Sequence, residues 1–400
     1  MLARYRSVLS MPGSKRMFAS ALVGRLPQGM SSLAILLLVR STTHSYAAAG
    51  VAVGVNAFAA GASAPIAGRL VDRFGRVRVL GPFAFAQAGV YVALVMVAKA
   101  GAGTAPQILL AGLAGGLLPP IAPVVRVVLG EVFEDPAVRD IAYAVESILQ
   151  ELVWIAGPSV VAIVAALVSP SAAVAMLGLV AVLGTSTFLR GNLVRGSHRR
   201  AAPHVRGSAL ASAELRALLG PIALTGLGLG ATEVGLPSLA LHAGSQPAAG
   251  LLLALWSVGS ISGGLWYGAR RWHSPLASRY RLLLLVLPVC TAPLIAARSV
   301  AAGAACSVLA GIAIAPLFSC QYALIGRAAR TGSETEAFTW ISAALIGGLA
   351  AGSALGGAVI ALGGVSAPFV VSCLATTMAA LLAVGFRAPI RRPAEGSQSA

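Results

Sequence analysis

Long apolar runs alternate with short polar stretches along the whole chain of 400 residues. The apolar segments fall near 17–39, 46–68, 79–98, 106–130, 141–168 and 171–189, then 217–241, 247–269, 282–297, 299–325, 337–362 and 366–386. Each approaches the ~20 residues that a helix rising ~1.5 Å per residue needs to cross a bilayer. The runs are continuous rather than alternating in ten-residue units, which excludes a β-barrel. The pattern therefore predicts an all-α membrane protein with 12 transmembrane helices, arranged six and six. The first run follows Arg4, Arg6, Lys15 and Arg16 as a secretory signal would, but it is too long for a signal core and lacks a small-residue cleavage site, so it is expected to remain as a span. Residues 190–215, rich in Arg, Gly, His and Ser and without hydrophobic periodicity, read as a linker. The expected organisation is a six-helix bundle over 1–189, the linker over 190–215, a second bundle over 216–386 and a tail over 387–400.

Composition narrows the class further. Hydrophobic residues make up 58% and charged residues 10%, against roughly 25% charged in a soluble domain, so a soluble enzyme is excluded. The net charge of +17 raises nucleic acid as a partner, yet no polar stretch is long enough to build a basic binding face. Topology accounts for the charge. Of the 29 basic residues, 24 fall in the termini and in loops on one side of the predicted membrane, against Arg40, Lys99 and Arg298 on the other. The positive-inside rule then places both termini in the cytoplasm. The near absence of lysine, with Lys15 and Lys99 alone, suggests a GC-rich bacterial genome and hence a bacterial cytoplasmic membrane. Cys290, Cys306, Cys320 and Cys373 show no metal or redox spacing and read as apolar fillers. The five histidines fall in loops or at span ends. With no nucleophile–base pair, phosphate loop or metal cluster, no enzyme activity, metal or cofactor is expected.

Ionisable residues inside the membrane cost about 2.5–3.5 kcal/mol each on insertion scales and are functional candidates by default. Glu151 lies roughly 15 Å into span five and Glu233 roughly 24 Å into span seven; Arg25 lies roughly 12 Å into span one and Asn56 roughly 15 Å into span two. Gln28 shares a helix face with Arg25 and is placed to donate to a polar substrate. Glu151 and Glu233 stand either as proton or cation carriers or as salt-bridge partners of Arg25. Arg126 and Glu146, at similar depth on adjacent antiparallel helices, read as a structural ion pair, with a substrate role as the alternative. Tyr143, Ser147, Gln150 and Trp154 form a polar and aromatic stripe on span five, a cavity wall with helix packing as the alternative for Trp154.

The loop after span two reads Gly68-Arg69-Leu70-Val71-Asp72-Arg73-Phe74-Gly75-Arg76-Val77-Arg78. This resembles the G-x-x-x-D-R-x-G-R-[RK] signature of the major facilitator superfamily. A degraded copy, Gly264 to Arg271 with Gly268 in the place of Asp72, follows 196 residues later, and Ile121-Ala122-Pro123 in span four is echoed by Ile314-Ala315-Pro316 in span ten. Such offsets support two parallel six-helix repeats. The resemblance implies the major facilitator fold, with two bundles rocking about a central site lined by spans one, two, five and seven. It implies a cytoplasmic gate formed by Gly68, Asp72, Arg73, Gly75 and Arg76. Gly157-Pro158 resembles the core of the motif typical of proton-coupled antiporters, although Val153 and Val161-Ala162 replace its outer glycines.

The expectation is a monomeric secondary transporter that exports a small organic molecule with protons as coupling ion, through Arg25, Gln28, Asn56, Gln150, Glu151, Trp154 and Glu233. Proton-symport uptake is the alternative within transport, and a non-transporting membrane sensor of the same fold the alternative outside it.

Overall fold

A computed structural model describes residues 2–196 and 208–384. The tail over 387–400 and residues 197–207 of the linker lie outside the described residues. Twelve helical spans are long and apolar enough to cross a membrane. A short helix, α1 (Leu2–Leu9), precedes the first bundle, which contains α2 (Ser14–Thr43), α3 (Tyr46–Phe74), α4 (Arg76–Lys99), the pair α5 (Thr104–Gly116) and α6 (Ile121–Val132), α7 (Pro136–Leu167) and α8 (Pro170–Leu189). After α9 (Asn192–Gly196), the second bundle contains α10 (Ala213–His242), α11 (Ala248–Ala269), α12 (Leu276–Thr291) with α13 (Pro293–Ala296), the pair α14 (Val300–Gly311) and α15 (Ile314–Ala328), α16 (Glu334–Gly363) and α17 (Ala367–Val384).

All twelve predicted spans are present, but several helices overrun their apolar cores. The 32 residues of α7 reach ~48 Å, well beyond ~30 Å of hydrocarbon, so its terminal turns stand in the interfacial zone. Local caps set several of these ends. Ser45, Asp135, Ser169, Ser212 and Ser299 each accept a backbone N–H from the first turn of the helix they precede.

Spans four and ten are both broken, and the repeated Ile-Ala-Pro marks where each resumes, as α6 and α15. A proline in the first turn fits a new helix because its missing N–H would lack an intrahelical partner there. In span four Pro119 and Pro120 also end the preceding segment, whereas in span ten α14 stops where Gly311 meets the carbonyl oxygen of Trp256.

Glycine allows the closest crossings in both bundles. Gly226 and Gly230 of α10 face the carbonyl oxygens of Leu345 and Leu349 on α16, while Gly348 and Gly352 of α16 face those of Ala223 and Leu227 on α10. This reciprocal arrangement brings the two backbones together along several turns, as expected where small residues drive packing in lipid. Large apolar side chains such as Phe58, Phe85 and Val289 remain more than half exposed on the outside, which suits a hydrocarbon surrounding.

Candidate substrate pathway and gate

The two bundles meet on the face that carries the N-terminus and the loops after spans two and eight, here the basic face. Asp72, at the end of α3, reaches across to the start of α16, accepting the N–H groups of Thr335 and Glu336 at 3.1 and 2.8 Å. Ser333 occupies the N-cap position of α16 but makes no side-chain capping bond. A carboxylate from the first half thus caps a helix of the second, combining hydrogen bonding with attraction to the positive helix end. Arg69, one turn earlier, donates to Glu336 at 2.7 Å, and Ser208 at the linker's end donates to the same oxygen at 2.8 Å. Gly68 makes the approach possible: a Cβ there would overlap the Thr339 hydroxyl and come within 2.9 Å of the Glu336 Cα. Gly75 has φ 89°, a conformation favouring glycine, and turns the chain from α3 into α4. Arg76 then holds Glu131 of α6 through both carboxylate oxygens at 2.7 Å, within the first bundle. The exposed Arg73 guanidinium lies over the Phe74 ring.

The second half closes the same face differently. Gly268 stands where the first copy has Asp72, packed against Ala144 and the Tyr5 hydroxyl. Tyr5 of α1 donates to the carbonyl oxygens of Leu265 at 2.8 Å and Gly264 at 3.2 Å, tying the N-terminal helix to α11. Burial pushes the Tyr5 hydroxyl up to about 12, so it remains a neutral donor at physiological pH. Arg279 of α12 donates to Asp140 of α7 at 3.1 Å and to the Tyr267 hydroxyl at 2.8 Å.

Deeper, Glu146 of α7 sits between two guanidiniums of its own half. Arg25 Nη1 lies 2.5 Å and Arg126 Nε 3.5 Å from Glu146 Oε1. All three side chains are at most 5% exposed. Arg126 also faces the other half, donating to the Tyr322 hydroxyl at 3.0 Å with its guanidinium 3.9 Å from that ring's centroid. Glu146 Oε2, Arg25 Nη2, Arg126 Nε and Gln150 Nε2 are buried without hydrogen-bond partners. Near the middle of α7, Glu151 accepts from Ser260 of α11 at 3.0 Å, and the same Ser260 oxygen accepts the Ala315 N–H at the start of α15. Among the described residues, the hydrogen bonds joining the halves lie between the basic face and this level.

The other predicted positions separate into distinct settings. Gln28 is half-buried, Trp154 is 44% exposed, and Glu233 is exposed without a hydrogen-bond partner among the described residues. Asn56 is buried and donates to the Ala111 carbonyl oxygen of α5 at 2.8 Å. Gly157 presses on the backbone of Gly29, and Gly29 on the carbonyl of Val153, so α2 supplies at this crossing the small residue that Val153 does not. Pro158 lies inside α7, where it removes one helical hydrogen bond.

Glu336, Ser208, Asp140, Arg279, Ser260 and Tyr322 complete this network without having been singled out in the sequence. Glu336 and Asp140 flank predicted spans, while Ser260 and Tyr322 resemble ordinary polar or aromatic residues of apolar helices. Their partners are distant in the chain.

Two six-span bundles, joined at one face and enclosing buried charges at mid-depth, define a membrane carrier of the alternating-access class. Residues 17–274 match the family model of the Major Facilitator Superfamily, and the chain belongs to that family. It is a multi-pass membrane transporter rather than an enzyme. No curated protein matches the sequence. Similar solved structures include the human organic anion transporter MFSD10 (TETRAN), with 17% identity, a TM-score of 0.71 and coverage of 93% of this chain and 99% of that one. They also include a bacterial homologue of the iron transporter ferroportin in an outward-facing state, with 14% identity, a TM-score of 0.75 and coverage of 94% and 99%. A structure of a bacterial homologue of ferroportin in an outward-facing state with soaked iron has 17% identity, a TM-score of 0.72 and coverage of 92% and 98%. At these identities the likeness is one of fold.

Proposed function

We propose that this transporter exports a small organic molecule bearing an anionic group from a bacterial cytoplasm, in exchange for protons. The observation that carries the substrate class is the buried cluster of Arg25, Glu146 and Arg126. Two guanidiniums share one carboxylate, and Arg25 Nη2 and Arg126 Nε lack acceptors that an anionic group would supply. Gln28, Gln150 and Trp154 lie along the same two helices, α2 and α7, and are proposed to complete the cavity wall. A single chain contains both bundles, so the proposed working unit is the monomer.

With the basic face in the cytoplasm, the contacts of Asp72, Arg69 and Arg279 form a closed inner gate. Glu151 is the proposed proton carrier, because at mid-depth its carboxylate bonds directly across the two halves. Protonation there changes the Glu151–Ser260 contact, linking proton binding to the bundles' relative position. Glu233, an exposed carboxylate on α10, is a second proton site under the same reading.

The test uses purified protein in proteoliposomes with a pH-sensitive dye inside, an imposed proton gradient and a panel of organic acids, amphipathic cations and sugars. Organic acids are expected to drive proton flux opposite to their own, and Glu151→Gln to abolish that flux. Proton and substrate moving together establishes uptake by symport instead. Substrate movement without proton flux overturns the coupling, cation-specific flux overturns the substrate class, and transport of no panel member supports the sensor alternative.

A further inference from the structure

A cavity of about 460 Å³ opens between the halves at the basic face, and neither Glu151 nor Ser260 lines it. Its walls come from the turn after α3, from α6 and α7, and across the interface from α15 and the start of α16. Five arginines line it, Arg73, Arg76, Arg126, Arg139 and Arg327, against the carboxylates of Asp72, Glu131 and Glu334.

The carboxylates are already engaged. Asp72 caps α16, Glu131 is held by Arg76, and Glu334 accepts the Gly332 N–H at 2.8 Å. Arg139 and Arg327 have no ion-pair or hydrogen-bond partner among the described residues, and Arg73 has only its contact with Phe74. Arg126 also lines the cavity but is 5% exposed and ion-paired with Glu146. Arg139 belongs to α7 of the first half and Arg327 to α15 of the second, so each half brings to the cavity a guanidinium without an ion-pair partner among the described residues.

We infer that this cavity binds a multivalent oxyanion of the phosphate or phosphomonoester type, which bridges Arg139 and Arg327 and holds the gate closed. Guanidiniums favour such ligands through paired charge-assisted hydrogen bonds, and a concave low-dielectric site strengthens the attraction. The volume lies in the range of small-molecule sites. An anion that needs both halves in contact binds the closed state better than the open one and shifts the population toward it. High anion on this side therefore slows the cycle whatever the cargo.

The experiment titrates purified protein with inorganic phosphate and pyrophosphate at constant ionic strength, using chloride as reference. Gate position is followed by energy transfer between fluorophores carried on non-canonical residues at Val77 and Ser274, exposed positions in opposite halves at the basic face. Saturable binding at least tenfold tighter than chloride is expected, accompanied by a shift to the short-distance state. Arg139→Gln and Arg327→Gln each weaken it at least tenfold, while Arg78→Gln, outside the cavity, leaves it unchanged. Nanodiscs with and without phosphatidic acid form the second arm. An effect seen only with that lipid, and with the same variant dependence, makes the source a lipid headgroup. No saturable anion effect in either arm, or equal losses in all three variants, overturns the site. Neither readout involves transport, so failure here is distinguishable from failure of the export reading.

Discussion

Replacing Asp72 by Asn perturbs the gate while leaving its shape almost intact. The native carboxylate accepts two N–H groups from the first turn of α16, at 3.1 and 2.8 Å, across the interface between halves. An amide keeps one accepting oxygen but presents an NH2 group to the second N–H, and it removes the negative charge from the helix N-terminus. One hydrogen bond to a charged group contributes about 1.5–3 kcal/mol net, and the charge–dipole attraction about 0.3–1 kcal/mol. Solvent reaches the partly exposed Asp72 side chain, so the low end of these ranges applies, giving about 2 kcal/mol. The ratio of closed to open gate then falls by ~30-fold. Energy transfer between Val77 and Ser274 reads that ratio directly, and Asp72→Ala, which loses both bonds, should shift it further. A folded Asp72→Asn protein whose ratio changes less than threefold would refute the assignment of Asp72 as the cap that holds the gate.

Three further outcomes follow from the same contacts. Gly68→Val drives a side chain into Thr339 and Glu336 and should open the gate as far as Asp72→Asn, with thermal unfolding of the bundles little changed; unfolding together with gate opening would instead mark Gly68 as a core packing position. Glu146→Gln leaves Arg25 and Arg126 facing each other without their shared anion, for which breaking a buried pair suggests a loss of about 3–5 kcal/mol. Its unfolding midpoint should fall by several degrees, and an unchanged midpoint would mean that the cluster is solvated. Gly157→Leu forces a branched side chain onto the Gly29 backbone and should cost about 1–3 kcal/mol in thermal stability, more than Gly81→Leu, where the nearest neighbour to a Cβ is 3.9 Å away.

The spans were legible because a bilayer imposes a length on every apolar helix, and twelve such lengths stand clear of one another in the chain. Their ends were less so, since caps and interfacial turns set them rather than hydropathy. The apolar core beginning near 337 belongs to a helix that begins at Glu334, where Asp72 rather than the adjacent Ser333 supplies the cap. The breaks in spans four and ten were not read from the sequence, where the repeated Ile-Ala-Pro spoke only for internal symmetry. Hydropathy averages across each break, so the repeat alone does not reveal an interruption.

The site was legible where chemistry is carried by residue type and illegible where it is carried by backbone or by distance in the chain. Asp72 and the glycines around it form a dense local pattern, but the partner of Asp72 is a pair of N–H groups 263 and 264 positions away, which no side chain advertises. The degraded second copy is the more instructive case. Gly268 in the position of an acid reads as loss of a gate residue, yet a side chain there would collide with Tyr5 and Ala144. A contact survives at each corner: on one side an acid of the first half grips a helix end of the second, and on the other an arginine of the second half grips Asp140 near the start of α7. Both contacts place the acid in the first half and its electropositive partner in the second. Had the second repeat kept an acid at 268, it would have stood beside Ala144, one helical turn from Asp140, and two carboxylates would have faced each other across the interface. Loss of the second acid is thus a condition for the two halves to attract at both corners of the gate, rather than decay of a redundant motif.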